Sequence, residues 1–213
     1  MNFLPVKVDE YVIAHSEDEP ELLKELNRET HQKILHPVML SGAYQGRVLS
    51  MISKLIRPNR VLEIGTYTGY ATLCLAEGLT QSGEIHTIDN NEELFDFQRK
   101  YFDRSVYGQQ IIQHLGNAMD ILPNLDLKFD LVFIDADKTN YINYFNLVID
   151  QLNSGGVILS DNVLWYGKVV EPIQEKDKST KILTEYNTVL KNDKRVETVI
   201  LPIRDGLTIS RKL

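Results

Sequence analysis

The sequence predicts an α/β protein of the doubly wound class, with a mostly parallel seven-stranded sheet and an antiparallel terminal strand. Short apolar segments alternate with amphipathic segments between residues 60 and 160. This order requires parallel strands joined by right-handed crossovers. Two further strand-like segments follow each other closely near residue 200, a spacing that favours a hairpin at the sheet edge. No repeat or low-complexity tract divides the 213 residues, so one domain is expected.

The amino-terminal part of the chain is predicted to be helical. A first helix begins near Pro20, where an acidic stretch precedes a leucine-rich segment. In a second helix, apolar residues recur at offsets 0, 1, 4, 7 and 8 from Val48, and Pro58 ends it. We expect residues 1–58 to cover the site and contact a second subunit, and residues 59–213 to form the sheet core.

Seven segments are predicted strands because they are short, apolar and bounded by turn residues. They are residues 61–64, 84–89, 111–115, 129–135, 157–160, 196–201 and 207–210. A helix from Tyr70 to Leu79 is expected after the first of them. The clearest helix lies between the fourth and fifth, where apolar side chains recur at offsets 0, 3, 4, 7, 8 and 11 from Tyr141.

Composition limits the classes of function that remain. The chain carries 23 basic and 30 acidic residues, a net charge of -7, which opposes binding to nucleic acid or to an anionic membrane. No apolar run exceeds four residues, so neither a transmembrane helix nor a signal peptide is expected. The single cysteine, Cys74, excludes an internal disulfide framework. We therefore expect a cytoplasmic protein that acts on small molecules.

The segment from Glu63 to Gly69 follows the first predicted strand, where doubly wound sheets bind ligands. Gly65 lets the backbone approach a ligand closely, but Tyr67 occupies the position of the second glycine of the dinucleotide pattern. Asp89, which ends the second strand, is placed to bind the two ribose hydroxyls of an adenosine. The two carboxylates Glu63 and Asp89, without a glycine-rich loop that could hold a pyrophosphate, favour S-adenosylmethionine over NAD. The turn at residues 116–120 is equally consistent with adenine binding and with an ordinary turn.

A second group of polar residues follows the fourth and fifth predicted strands. Asp135 and Asp161 supply carboxylate oxygens and Asn162 supplies an amide oxygen. This donor set suits Mg²⁺, with Ca²⁺ or Mn²⁺ as alternatives, and leaves coordination positions for substrate and water. The five histidines are scattered along the sequence without ligand spacing.

Four segments, residues 61–70, 133–138, 161–165 and 205–209, resemble the cation-dependent O-methyltransferases. This is the family of the plant caffeoyl-CoA enzymes and the animal catechol enzymes, and the resemblance covers nearly the whole chain. It implies a Rossmann-like methyltransferase fold. It also implies transfer of a methyl group from S-adenosylmethionine to one hydroxyl of a vicinal aromatic diol, such as a catechol, phenylpropanoid or flavonoid.

The resemblance also assigns roles to individual residues. It implies that Asp135, Asp161 and Asn162 bind the metal and that Lys138 is the catalytic base. It places six residues around the methyl donor: Glu63, Gly65, Tyr67, Asp89, Ala118 and Asp135. It further suggests a homodimer, to which the apolar amino-terminal residues Phe3, Leu4, Val12 and Ile13 are candidate contributors.

The acceptor contacts are less specific in the sequence. Trp165 either forms a wall for an aromatic ring or packs within its loop. Tyr166 stands where the plant enzymes usually carry a small polar residue, and Tyr44 stands where they usually carry an acidic one. These two differences from the plant enzymes bear on the identity of the acceptor and not on the type of reaction.

Two other functions compete with methyl transfer. One is an NAD-dependent oxidoreductase, against which the glycine spacing argues. The other is a metal-stabilised interaction module without activity, against which the complete set of base and metal ligands argues.

Overall fold

The computed structural model describes residues 4–213. The helices in this range are α1 (Val6–Ala14), α2 (Glu21–Lys33), α3 (Gly42–Ile56), α4 (Tyr70–Ala76), α5 (Glu92–Arg104), α6 (Ala118–Ile121), α7 (Tyr141–Gln151) and α8 (Lys178–Asn192). The strands are β1 (Arg60–Ile64), β2 (Glu84–Asp89), β3 (Ile111–Leu115), β4 (Phe129–Ile134), β5 (Leu152–Asp161), β6 (Val196–Leu201) and β7 (Leu207–Lys212). None of these helices is long and apolar enough to cross a membrane.

The seven strands form one sheet in the order β3-β2-β1-β4-β5-β7-β6. The first five in this order pair in parallel, and β7 runs antiparallel to both β5 and β6. The predicted fold class is therefore confirmed. The chain direction across the sheet reverses at the β1–β4 pair, so a crevice opens at the carboxyl ends of these two strands.

The sheet is covered on both faces, which explains why its central strands are mostly apolar. Val61 on β1 lies beside Leu131 on β4, and both belong to the core under α2, α3, α4 and α5. The next pair, Leu62 and Val132, points to the opposite core under α7 and α8. All four side chains have no exposed surface. This alternation fixes which strand residues can reach the crevice.

The amino-terminal helices differ in how they attach to the sheet layers. Helices α2 and α3 pack on α4, and the Arg47–Glu77 ion pair (2.6 Å) joins α3 to the residue that follows α4. Helix α1 contains no buried residue. Leu4 and Ile13 are exposed, and Phe3 lies outside the described residues. The division at residue 58 and the subunit contact stay predictions.

Besides shifts of one or two residues at strand ends, the elements differ from the sequence-based expectation in the following ways. Helix α4 ends at Ala76 rather than Leu79, because Gly78 is a poor helix former. Strand β5 begins at Leu152 rather than Val157, since Leu152 pairs with Phe129 across a register shift. Helix α3 begins at Gly42, ahead of its apolar stripe. Helix α1 was not expected, because its exposed apolar residues give no sign of a packed face.

Candidate active site

A cleft of about 950 Å³ opens at the carboxyl ends of the central strands. Ten of the eleven site residues predicted from the sequence line it: Gly65, Tyr67, Asp89, Ala118, Asp135, Lys138, Asp161, Asn162, Trp165 and Tyr166. Glu63 is the exception. The cleft is also lined by Val38 and Met39, which lie between α2 and α3, and by Arg204, which lies in the β6–β7 connection.

The loop after β1 wraps around the carboxylate of Asp89. Asp89 Oδ2 accepts hydrogen bonds from the backbone N–H groups of Thr66 (3.0 Å) and Tyr67 (2.7 Å). Asp89 Oδ1 accepts from the N–H of Asn91 at 2.8 Å. A carboxylate has about four lone-pair sites, so Asp89 keeps acceptor capacity toward the cleft that it lines.

Gly65 allows the β1 loop to touch the end of β4. Its φ is +97°, and a Cβ atom there would lie 2.0 Å from the carbonyl oxygen of Asp135. A side chain at this position is excluded both by the left-handed backbone and by this contact. The close approach brings the loop that holds Asp89 next to the start of the Asp135–Lys138 segment.

Glu63 lies beneath the cleft and does not line it. Its Oε2 accepts hydrogen bonds from the hydroxyls of Thr72 and Thr87, while its Oε1 is buried without a partner among the described residues. Burial raises the pKa of Glu63 to about 8, and the charges of Asp135 and Asp89 add to this effect. Burial therefore favours the protonated form of Glu63. Its direct contact with a methyl donor stays a prediction.

The three predicted metal ligands are adjacent at the ends of β4 and β5. Asp161 is only 3% exposed; its Oδ2 accepts from Gln45 Nε2 (2.7 Å) and its Oδ1 from the Asn162 N–H (2.8 Å). Burial and the neighbouring charge of Asp135 raise the pKa of Asp161 to about 6, against the opposing effect of Lys138. Asn162 has a left-handed φ of +59°, which asparagine tolerates better than most residues.

Lys138 is held between Asp135 and Tyr141. Its Nζ lies 3.0 Å from Asp135 Oδ1 and 2.7 Å from the hydroxyl of Tyr141. The Tyr141 hydroxyl in turn donates to the carbonyl oxygen of Asp161 at 2.9 Å. Only 10% of the Lys138 side chain is exposed. The amine is thus fixed beside Asp135 and is linked through Tyr141 to the backbone of Asp161.

The residues at this point fit a hard divalent cation. Burial and, after it, the charge of Asp135 raise the pKa of Asp161, and a bound cation would favour the ionised carboxylate against both effects. Within residues 4–213 no cluster of three or more His, Cys, Asp or Glu side chains could hold a metal ion. A cation here would therefore need the amide oxygen of Asn162 as its third protein ligand.

The loop after β5 forms the far wall of the cleft with a strained backbone. Trp165 and Tyr166 have φ values of +45° and +57°, and their ring centroids are 5.4 Å apart. The N–H of Tyr166 donates to Asp205 Oδ1 at 2.5 Å. A Cβ at Gly206 would lie 2.5 Å from Leu164 Cγ, so the Asp205–Gly206 pair fixes this loop. Such backbone strain is typical of functional sites.

Sequence reasoning missed three polar residues in the site. Tyr141 was read only as part of the apolar stripe of α7, although its spacing of three from Lys138 was a usable signal. Gln45 contacts Asp161 from a position 116 residues earlier in the chain, a separation that no local sequence pattern spans. Arg204 gave no signal in the sequence.

Comparison with known proteins adds an independent finding. The family described as O-methyltransferase matches residues 13–213. Caffeoyl-CoA O-methyltransferase of Petroselinum crispum is 36% identical over 208 residues, which cover 92% of this chain and 85% of that protein.

Two solved structures are similar over nearly their whole length. The SAH-bound methyltransferase PaMTH1 of Podospora anserina has a TM-score of 0.89 at 27% identity, covering 100% of this chain and 99% of that one. TomG, the O-methyltransferase of Streptomyces achromogenes involved in tomaymycin synthesis and solved with SAM, has a TM-score of 0.88 at 27% identity, covering 97% and 96%.

Proposed function

The chain belongs to the O-methyltransferase family and is an S-adenosylmethionine-dependent O-methyltransferase, and we propose that it methylates one hydroxyl of a vicinal aromatic diol with the help of a divalent cation. The observation that carries this proposal is the joint placement of Asp135, Asp161, Asn162 and Lys138 in one cleft, beside the loop that holds Asp89.

The donor half of the cleft suits an adenosine with an amino-acid tail. S-adenosylmethionine supplies an electrophilic methyl group on its sulfonium when bound. Asp89 would accept hydrogen bonds from the ribose hydroxyls, and Ala118, which is 7% exposed and lines the cleft, would contact the adenine. Gly65, Tyr67 and Asp135 border the same half. These residues orient the donor, and orientation contributes up to about 7–11 kcal/mol to such reactions.

The acceptor half of the cleft suits a phenol that must lose its proton. A divalent cation, held by Asp135, Asp161 and Asn162, would lower the pKa of an acceptor hydroxyl from its ordinary value near 10. Mg²⁺ is the cation we propose, with Ca²⁺ or Mn²⁺ as alternatives.

Lys138 Nζ is the group placed to accept the proton. It lies beside Asp135 and is held in position by the Tyr141 hydroxyl. General-base catalysis of this kind contributes about 10²–10⁴ to the rate.

We infer that the acceptor is a phenylpropanoid, flavonoid or related catechol. The names of the caffeoyl-CoA O-methyltransferase relatives support a phenylpropanoid. Trp165 and Tyr166 provide an aromatic wall on which a planar ring could stack.

A product assay tests this function. The protein is incubated with S-adenosylmethionine, Mg²⁺ and either a catechol or the matching monophenol, and methylated products are identified by mass spectrometry. The proposal predicts a methyl ether from the diol at a rate far above that of the monophenol. Equal rates for the two acceptors would contradict the diol requirement, and no product from any diol would contradict the function.

We also propose that two copies of the chain associate through α1 and its surroundings. Val6, Tyr11 and Ile13 are 72%, 64% and 49% exposed, an unusual apolar content for a solvent-facing helix. Light scattering at micromolar concentration should give the mass of a dimer. A monomer mass, or an unchanged dimer after Tyr11 and Ile13 are replaced by serine, would contradict this contact.

A further inference from the structure

Arg204 is a half-buried cation without a carboxylate partner among residues 4–213. The other half-buried arginines each form an ion pair: Arg47 with Glu77, Arg60 with Glu84 and Arg99 with Asp103, at 2.6, 2.6 and 2.9 Å. A guanidinium that loses part of its hydration usually gains a carboxylate or a similar anion in exchange. Arg204 lacks this compensation in the chain itself.

The backbone and one nitrogen of Arg204 are fixed by the fold. Its φ is +48°, and its Nη1 donates to the carbonyl oxygens of Leu40 and Ser41 at the start of α3. Guanidinium has five N–H donors in a planar fork. Its Nη2 and Nε donate no hydrogen bond to any described residue, so one edge of the fork is left for another acceptor.

Arg204 lies at the acceptor end of the cleft. Its Nη1 is 3.5 Å from Gln45 Oε1, and Gln45 Nε2 is 2.7 Å from Asp161 Oδ2. One amide side chain therefore separates the guanidinium from a proposed metal ligand. Arg204 shares the cleft with Trp165 and Tyr166.

We propose that Arg204 binds a carboxylate of the acceptor, so that the preferred acceptors are vicinal aromatic diols that carry a free acid rather than an ester or thioester. This inference rests on the proposed function. A planar carboxylate matches the guanidinium fork and can form two parallel hydrogen bonds with it.

The charges of the cleft give the acceptor one orientation. Asp135 and Asp161 would hold the cation that binds the diol oxygens, whereas Arg204 offers an unpaired guanidinium edge to the acid group at a separate point of the same cleft. The acid group then binds at Arg204 and the hydroxyls face Asp135 and Asp161. A neutral ester of the same diol loses this preference.

Competition between two matched acceptors tests the proposal. Caffeate and its methyl ester carry the same diol and differ in one charge, and kcat/KM is measured for each with Mg²⁺ present. The wild type should prefer the acid. In Arg204→Gln the acid-to-ester ratio should fall by about 10- to 100-fold, as expected for a lost charged hydrogen bond, and Arg204→Lys should retain an intermediate ratio.

A matched variant separates charge recognition from support of the loop. Arg57 also has a left-handed φ, of +53°, lies at the other end of α3 and forms no ion pair within residues 4–213. Arg57→Gln should leave the acid-to-ester ratio unchanged. An equal loss of kcat/KM for both acceptors in Arg204→Gln would show that Arg204 only stabilises the backbone at Leu40 and Ser41 through its hydrogen bonds. That result would overturn the proposal.

Failure of the inference differs from failure of the proposed function. If the wild type methylates the ester as well as or better than the acid, Arg204 does not recognise a carboxylate, while diol methylation stands. If the wild type methylates no vicinal diol at all, the proposed function itself is contradicted and the Arg204 inference falls with it.

Discussion

The hydroxyl of Tyr141 accepts a hydrogen bond from Lys138 Nζ at 2.7 Å and donates one to the carbonyl oxygen of Asp161 at 2.9 Å. Tyr141 has no exposed surface, and its hydroxyl connects the proposed base with the strand end that carries a proposed metal ligand. The tyrosine positions Lys138 without contacting the acceptor itself.

Replacing Tyr141 with phenylalanine should lower kcat about 10-fold or more while KM for S-adenosylmethionine stays nearly constant. The variant removes the hydroxyl that holds Lys138 Nζ in place, and misplacing a catalytic group lowers the rate steeply. Steady-state kinetics at saturating acceptor measures the effect. Tyr186→Phe is the matched control, because Tyr186 is equally buried and its hydroxyl bonds Ser160 at 2.6 Å rather than Lys138. A similar loss of kcat in both variants would contradict the positioning role.

Lys138→Ala should lower kcat by about 10²–10⁴ at neutral pH and leave donor affinity unchanged. Part of the lost rate should return as the pH rises, because hydroxide can then remove the acceptor proton without help. A pH–rate profile of variant and wild type measures this recovery. Near-normal kcat at neutral pH would mean that Lys138 is not the base.

Asp89→Ala should weaken S-adenosylmethionine binding by about 1.5–3 kcal/mol, since charged hydrogen bonds to the ribose are lost. Calorimetry on the metal-loaded protein measures the affinity directly. Asp96→Ala is the control, because Asp96 is an exposed acid on the neighbouring helix α5. Unchanged affinity in Asp89→Ala would remove this residue from the donor site.

Glu63 should make the protein less stable as the pH rises. The pKa of Glu63 is raised from 4.5 to about 8 in the folded protein. Its contribution to the free energy of unfolding is therefore fully present below pH 4.5 and is lost as the pH increases to about 8. In that window the unfolded chain releases a proton that the folded protein keeps. Glu63→Gln should therefore gain stability relative to wild type by up to about 1.4 kcal/mol per pH unit. Urea unfolding at pH 5, 6.5 and 8 measures this difference, and a constant difference would contradict a protonated Glu63.

Features that depend on local pattern were predictable from the sequence. The strands around Leu62 and Val132 are short, mostly apolar runs, and each is followed by residues that can take part in binding or catalysis. Parallel strands bring such ends to one edge of the sheet, which explains why ten predicted site residues meet in the cleft.

Features that depend on distant contacts were not predictable. Tyr141 has the same apolar spacing as its neighbours on α7, and its hydroxyl acquires a role only when β5 places Asp161 beside it. Gln45 and Arg204 reach the site from elements far apart in the chain. Glu63 illustrates the reverse case: the strand alternation that buries Leu62 on one face directs Glu63 toward Thr72 on the other, beneath the cleft.

The rate of methyl transfer to a catechol after chelation tests the proposed cation requirement. Protein treated with EDTA is assayed with S-adenosylmethionine and catechol before and after Mg²⁺ is added in excess. The account predicts no turnover in chelator and full recovery with Mg²⁺, and it predicts little recovery in Asp161→Ala, which lacks one ligand. A full rate of methylation in the presence of EDTA would contradict it.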